Sequence, residues 1–269
     1  MGRDPMAPPF HVNLCYGVRF VQASILVTSK QETGATRALP VRFDFAPPAK
    51  KPRQNQRQQS DASPTSPTAD AESARQKQEW EAKLEAYKKE KKERRLPLAA
   101  LNVMRSVRES LDQRPETRHR ILIASGDGSY TTRDVVRNLP ERTTYIGRIR
   151  KDAKLYDALE AAAGRSAGRP RRYGALAPTP EQILRDDSIQ TIQVRCFAAG
   201  KFHDIPVKVR RLVYWRNAGC DLPLQVIVIK PLGYRLRKGS KLLYRKPAFL
   251  ICTDPNLDLQ ALILGSGAF

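Results

Sequence analysis

The spacing of apolar residues changes several times along the chain, and one change in its middle is especially informative. Residues 121–124 are four consecutive apolar residues, a pattern typical of a strand buried on both faces. Gly126-Asp127-Gly128 then predicts a sharp turn, and Thr131 with Asp134 forms a Thr-x-x-Asp pattern that can cap a helix. The predicted order is therefore a buried central strand, a turn and a helix.

Asp127 has two interpretations in this local pattern. Asp-Gly pairs are common in turns, so Asp127 can have a purely structural role in a turn. A carboxylate just beyond the carboxyl end of a central strand also lies where open α/β sheets place their chemistry. The local sequence alone favours the turn.

Helical spacing predicts further elements on both sides of this strand. Residues 72–94 are predicted to form a charged helix with Trp80, Leu84 and Tyr87 on one stripe. A second helix is predicted from Pro97 to about residue 112. After the turn, we expect a helix over 131–138 and a strand over 143–149. Two strands separated by one helix indicate a βαβ unit with parallel strands.

Alternation of apolar and polar residues predicts strands near the two ends of the chain. Residues 10–28 are predicted to form a hairpin, followed by a third strand at 39–45. Later strands are predicted at 189–197, 205–215, 224–229 and 242–252, and a last helix at 256–264. In 207–210 the alternation of valine with Lys208 and Arg210 predicts one buried face and one positive face.

The charge of the chain narrows the choice of partner. Lysine and arginine number 48 against 27 acidic residues, which gives a net charge of +21 spread along the sequence. Such a surface favours a polyanion, with nucleic acid as the first candidate and an anionic membrane surface as the second. The four cysteines and three histidines are scattered, so we expect neither a zinc site nor a disulfide framework. This use of cysteine is typical of a protein in a reducing compartment. No membrane span and no signal sequence are predicted.

Basic residues near the predicted turns are candidates for contacts with phosphates. The candidate DNA-binding residues are Arg142, Arg148, Arg150, Lys151, Arg235, Lys238 and Lys246, with Tyr130 and Tyr244 as candidates for stacking on bases. The basic run at 164–173 is a further candidate. Each cation has the alternative of plain surface charge, and each tyrosine has the alternative of packing against the protein.

Several long strings resemble bacterial insertion-sequence transposases of the DDE superfamily. They are Asp127-Gly-Ser-Tyr-Thr, Leu139-Pro-Glu-Arg-Thr-Thr, Ile146-Gly-Arg-Ile-Arg-Lys-Asp-Ala-Lys-Leu, Arg3-Asp-Pro-Met-Ala-Pro-Pro-Phe-His-Val-Asn-Leu and Pro231-Leu-Gly-Tyr-Arg-Leu-Arg-Lys-Gly-Ser-Lys-Leu-Leu-Tyr-Arg-Lys-Pro-Ala. The resemblance covers most of the chain, apart from residues 47–75. It implies a ribonuclease-H-like fold interrupted by a β-rich insertion.

The resemblance also implies an activity and a domain organisation. In this family, two Mg²⁺ ions held by two Asp and one Glu drive hydrolysis and strand transfer of DNA phosphodiesters. Asp127 matches the second Asp, as a catalytic residue and metal ligand. The expected organisation is core strands at 1–46, a flexible linker at 47–75, helices and a central βαβ unit at 76–151, a β-rich insertion at 152–253, and the start of a final catalytic helix at 254–269.

The sequence departs from the family at the other two acids. In the family, the first Asp lies on a strand before the stretch that corresponds to Asp4-Pro5, and the Glu lies on a helix after the position of Asp254. This sequence contains neither acid, so we expect a chain truncated at both ends. One carboxylate cannot hold two Mg²⁺ ions, and the Mg²⁺ site is expected not to assemble. The implied partners are transposon-end DNA and a homodimer or full-length transposase, with no membrane and no small-molecule substrate, in the nucleoid region of a bacterial cytoplasm.

Two alternatives to an inactive transposase remain open at this point. The chain can be a non-enzymatic, basic nucleic-acid-binding protein, for which the missing acids are no objection. It can also be a fragment that folds poorly, because a sheet without its first strand would expose a hydrophobic edge.

Overall fold

The computed structural model describes residues 2–3, 14–15, 19–28, 36–53, 67–159, 171–198, 201–235 and 239–266. These residues form a mixed α/β fold, with eight strands in one mixed sheet and five helices. The strands are β1 (Gly2–Arg3), β2 (Leu14–Cys15), β3 (Phe20–Thr28), β4 (Thr36–Phe45), β5 (Leu122–Gly126), β6 (Thr143–Arg148), β7 (Leu155–Tyr156), β8 (Leu176–Ala177), β9 (Ile192–Ala198), β10 (Lys201–Trp215), β11 (Leu224–Ile229), β12 (Gly233–Tyr234), β13 (Leu243–Tyr244) and β14 (Ala248–Cys252). The helices are α1 (Pro67–Glu93), α2 (Leu96–Asp112), α3 (Arg133–Val136), α4 (Pro180–Arg185) and α5 (Leu259–Gly265).

The large sheet runs in the order β5-β6-β14-β11-β10-β7-β8, with β9 paired to β10. Strands β5 and β6 are parallel, and the other pairs of this sheet are antiparallel. The predicted βαβ unit is therefore confirmed, although its helix α3 has only 4 residues. Most strands of the predicted β-rich insertion extend this same sheet from β6 onward, whereas β12 and β13 form a separate two-stranded sheet.

Strand β11 is the centre of the core. All six of its residues are buried, and its side chains alternate between two hydrophobic clusters. Val226 and Val228 face the cluster that includes residues of α3 and α4, whereas Ile227 and Ile229 face Leu262 of α5. The sheet is therefore covered by helices on both faces, as expected of an α/β fold.

Strand β5 is an edge strand, and the prediction of a central strand at this position was wrong. It pairs with β6 alone among the described residues, and its burial alternates, with Ile123 42% exposed. Its apolar run reflects packing on the two faces of the sheet, since Ala124 and Met104 of α2 pack against the same buried cluster and α5 contacts β5. An apolar run in a sequence thus indicates that both faces of a strand are covered, but not that both of its backbone edges are paired.

Strands β3 and β4 form a separate antiparallel hairpin and do not join the large sheet. This hairpin packs on α2, where Val21 and Ala46 contact Val103. It differs from the hairpin predicted at 10–28, because β3 pairs with β4 and β2 pairs with β1; residues 10–13 and 16–18 of that prediction lie outside the described part. Helix α1 begins at Pro67, inside the predicted linker at 47–75.

Lys208 corrects the prediction of a positive face on β10. Its side chain is only 1% exposed, and Nζ donates hydrogen bonds to the carbonyl oxygens of Leu184 at 3.0 Å and Asp186 at 2.7 Å. These carbonyls lie at the C-terminal end of α4, where the helix dipole favours a cation. Lys208 therefore anchors α4 to the sheet and is unavailable to a nucleic acid.

None of the described helices has the length and apolar character needed to cross a membrane.

Candidate nucleic-acid interface at the sheet edge

The candidate site lies at the carboxyl ends of the parallel strands β5 and β6. Gly126 and Gly147 are register partners there, and Asp127 follows directly after Gly126. A Cβ atom at Gly147 would lie 2.7 Å from Cγ2 of Thr131 and from a ring carbon of Tyr145. The absence of side chains at these two positions lets the turn after β5 fold tightly against β6.

Asp127 is exposed and organises this turn. Its Oδ1 accepts a hydrogen bond from the backbone N–H of Ser129 at 2.7 Å, an Asx-turn geometry. Its carbonyl oxygen accepts from the backbone N–H of Thr131 at 3.1 Å and from the Thr131 hydroxyl at 2.8 Å. The turn interpretation of Asp127 is therefore confirmed, and its carboxylate also faces solvent beyond the end of the strand.

Thr131 has a different role from the helix cap expected for it. Helix α3 has Thr132 as its N-cap residue, with no side-chain capping bond. The Thr131 hydroxyl lies in the turn, within 3.4 Å of the Tyr145 hydroxyl. Burial raises the pKa of Tyr145 to about 12, against the effect of the Thr131 contact, and the charge of Asp127 adds to the increase. The phenol beneath the turn is thus neutral at physiological pH.

Three predicted cations follow one another where β6 ends. Arg148, the last residue of β6, is exposed. Arg150 donates to both carboxylate oxygens of Asp152, at 3.0 and 3.1 Å, and Lys151 lies 3.3 Å from Glu181. Side chains of Arg150 and Lys151 are 85% and 63% exposed, so these ion pairs are weak and can be exchanged for phosphates.

A small ribbon made by β12 and β13 carries the next group of predicted residues. It connects β11 to β14, and β14 runs antiparallel to β6 with Leu250 opposite Arg148. The residues just before β14 therefore lie at the same edge of the sheet as Asp127. Arg235, Lys246 and Tyr244 are exposed there, Tyr244 at 67%, and the Arg235 guanidinium donates to the carbonyl of Ser240. Lys238 lies outside the described residues, as does most of the run at 164–173.

Arg142 does not belong to this group. It precedes β6, whose 6 residues place it at the opposite edge of the sheet. Its guanidinium lies 2.5 Å from a carboxylate oxygen of Asp112, which Arg108 also contacts at 2.8 Å. Burial acts to raise the pKa of Asp112, whereas the hydrogen bonds and positive charges of Arg108 and Arg142 lower it. The net effect is a pKa below the ordinary value. Arg142 also has a φ of 51°, which identifies it as a turn residue.

Tyr130, a candidate for stacking on bases, lies next to a cavity. It is half-buried and lines this cavity between β3 and β5, which the sequence interpretation missed. The only sequence signal for this cavity was the hydrophobic edge expected of an incomplete sheet.

The described residues do not fit a two-metal site. No three His, Cys, Asp or Glu side chains among them come together in a group that could hold a metal ion. Asp254 follows β14 and lies at the edge of the sheet opposite to Asp127, and Asp258 caps α5 by accepting from Ala261 at 3.0 Å. Protein-bound Mg²⁺ keeps several waters and is held by one or two carboxylates together with substrate phosphates, so Asp127 alone cannot fix two such ions.

Comparison with family models, with curated proteins and with solved structures finds no match to this chain.

Proposed function

We propose that this chain is a DNA-binding protein of the DDE transposase type, with Asp127 in the position of one metal-binding carboxylate. The observation that carries the proposal is the group of exposed cations around Asp127 at one edge of the sheet. The position of Asp127, after a strand with a parallel neighbour, agrees with this type of site. The proposed partner is transposon-end DNA in a bacterial cytoplasm.

The charge at this edge suits a phosphate backbone. Arg148, Arg150, Lys151, Arg235 and Lys246 are all exposed, and they lie at the carboxyl end of β6 or in the connection between β11 and β14. Five phosphate contacts would give log K a slope of about −4 to −5 against log salt concentration, because each contact releases counterions. Binding by these residues is independent of base sequence, since phosphate contacts position a protein but do not specify bases.

We further propose that the described residues bind DNA without cleaving it. A two-metal site requires more carboxylates than Asp127, so the metal-dependent step needs acids that this edge does not hold. The second candidate is a basic nucleic-acid-binding protein with no catalytic ancestry. The Asx turn favours it, because the turn alone explains an Asp at this position.

Two measurements test these proposals. Fluorescence anisotropy with a mixed-sequence DNA duplex, at several salt concentrations, measures the slope, and a plasmid-nicking assay with Mg²⁺ measures cleavage. We expect salt-sensitive binding and intact plasmid. A slope near zero would overturn the DNA-binding proposal, and nicking that is lost in Asp127→Asn would overturn the proposal that the chain cannot cleave alone.

Paramagnetic broadening by Mn²⁺ separates a metal ligand from a plain turn residue. If Asp127 retains metal affinity, NMR signals of residues 126–130 broaden at lower Mn²⁺ concentration than those around other exposed acids. Asp127→Asn should abolish this local effect. Glu141→Gln is the matched control, since Glu141 is exposed at the opposite end of β6. Broadening that is equal around all exposed carboxylates would favour the non-catalytic binder.

A further inference from the structure

Helix α1 carries a narrow apolar stripe that the described part of the chain does not cover. Trp80, Leu84 and Tyr87 are half-buried, and all other residues from 74 to 89 are exposed. None of the three belongs to a hydrophobic cluster of the described residues. The charged side chains beside the stripe are open to solvent, with Lys83 65% and Lys88 66% exposed. We call Trp80, Leu84 and Tyr87 the α1 seam.

The α1 seam has the spacing of a coiled-coil contact. Its residues are separated by 4 and then 3 positions, and Lys91 continues the series after a further 4. In heptad notation Trp80 and Tyr87 occupy d positions. Leu84 and Lys91 occupy a positions. The flanking e and g positions, whose charges set partner choice and orientation in a coiled coil, are Glu81, Lys83, Lys88 and Glu90.

We propose that α1 pairs with α1 of a second copy of this chain, in an antiparallel orientation and in one register. In this register Leu84 packs against Tyr87 of the second copy. Trp80 packs against the alkyl stem of Lys91 of the second copy, whose ammonium group then lies near the indole ring. Lys91 already extends along the seam, since its Nζ lies 5.9 Å from the ring centroid of Tyr87 in the same helix.

Opposite charges meet on both sides of this helix pair. In an antiparallel pair each e position faces an e position, and each g position faces a g position. Glu81 then faces Lys88 of the second copy, and Lys83 faces Glu90 of the second copy. The two-fold axis repeats both contacts. One layer further out, Lys77 would meet Arg94 of the second copy, which limits the paired stretch to residues 80–91.

The other ways of pairing the α1 seam bring like charges together. An antiparallel pair shifted by one heptad would place Glu81 against Glu81 and Lys83 against Lys83 of the second copy. A parallel pair would place Lys83 against Lys88 and would bring two Lys91 side chains together in the contact. Such repulsive contacts select against an alignment. The charges of residues 77–94 alone therefore favour a second copy of α1 in one orientation and one register.

The first test measures whether the α1 seam holds two copies together. Sedimentation equilibrium of the full chain, without DNA, should show a reversible monomer–dimer equilibrium. Leu84→Glu places a charge in the seam and should raise the dissociation constant by about tenfold or more. Ala82→Glu is the matched control, because Ala82 is exposed at an f position on the side of α1 away from the seam. Leucine, alanine and glutamate are all good helix formers, so circular dichroism should show equal helix content in both variants.

The second test exchanges charges across the pair. Glu81→Lys and Lys88→Glu should each weaken the dimer by about threefold to tenfold, since two symmetry-related ion pairs become repulsive. The double variant restores opposite charges and should recover most of the lost affinity. Within one helix these residues are separated by about 10 Å along the axis, so they do not form an ion pair with each other. Recovery in the double variant therefore reports a contact between two copies.

Several results would overturn the proposal. They are sedimentation as a monomer at every concentration, a dimer that Leu84→Glu leaves intact, equal weakening by Ala82→Glu, and a double variant as weak as the two single variants. None of these measurements uses DNA or Mg²⁺. A monomeric chain that still binds DNA with a salt-dependent slope would overturn the helix pairing alone, and a dimer without such a slope would overturn the DNA-binding proposal alone.

Discussion

Gly126 and Gly147 face each other at the carboxyl ends of β5 and β6, and the turn carrying Asp127 depends on both. A Cβ at Gly126 would overlap the Tyr145 hydroxyl, and one at Gly147 would overlap the side chain of Thr131. Because Thr131 also binds the Asp127 carbonyl, crowding at Gly147 would be transmitted directly to the turn.

We expect Gly147→Ala to lower the free energy of unfolding by about 1–3 kcal/mol, the usual cost of overpacking a buried site. Urea denaturation measures the change. Gly128→Ala is the matched control in the same turn, since its Cβ would meet only the Arg148 carbonyl at 3.8 Å. The control should change stability by less than about 0.5 kcal/mol. Equal effects of the two variants would contradict the packing described here.

We expect opposite outcomes for two exposed arginines, Arg142 just before β6 and Arg148 at its carboxyl end. Arg148→Ala should weaken DNA binding and reduce the salt slope by about 1, because one phosphate contact is lost. Arg142→Ala should leave the slope unchanged and reduce stability slightly, since its partner is Asp112. Anisotropy titrations over a range of salt concentrations measure both slopes. A loss of slope in Arg142→Ala alone would place the DNA at the other edge of the sheet.

The comparison of these two arginines shows how far the sequence was informative. Alternation and helical spacing predicted the βαβ unit, strand β11 and helix α2, because each is defined by local burial. The predicted strand at 143–149 already placed Arg142 and Arg148 at opposite ends, but the sequence did not show which end the other cations share, because that depends on the pairing of β6 with the distant strand β14. Nor did it reveal the ion pair with Asp112, which is 30 residues away.

The errors at β5 and Lys208 have a common physical cause. Hydrophobicity reports the burial of side chains, but neither the pairing of backbone edges nor the hydrogen bonds that permit a buried charge. Apolar residues in β5 contact helices while one edge stays open, and a lysine in β10 is buried because two carbonyls of the α4 region accept from it. Both features depend on segments distant in sequence.

Lys208→Met tests the buried cation. The substitution keeps the apolar stem but removes two hydrogen bonds from a charged donor, and each such bond contributes roughly 1.5–3 kcal/mol. We expect a loss of about 2–4 kcal/mol, less than the sum of the two bonds, because the desolvation cost of the charge also disappears. Lys83→Met is the control on α1, where Lys83 is 65% exposed and 4.0 Å from Glu79. Urea denaturation should show less than about 0.5 kcal/mol for the control.

The raised pKa of Tyr145 predicts how the free energy of unfolding depends on pH above neutrality. Burial raises its pKa from 10.0 to about 12 in the folded chain, so the unfolded chain releases this proton first as the pH increases. The unfolded state then binds fewer protons than the folded state, and the free energy of unfolding decreases with pH. This contribution is fully present below pH 10 and is lost between pH 10 and about 12.

The measurement compares the native chain with Tyr145→Phe, which keeps the ring and cannot ionise. Lysines and other groups titrate in the same range in both proteins, so the informative quantity is the difference between their unfolding free energies at pH 9 and pH 11. We expect the native chain to lose about 1 kcal/mol more than the variant over this interval, since the full shift corresponds to roughly 2–3 kcal/mol. Parallel pH profiles would show that the Tyr145 hydroxyl is accessible to water and that the turn above it does not seal the sheet edge.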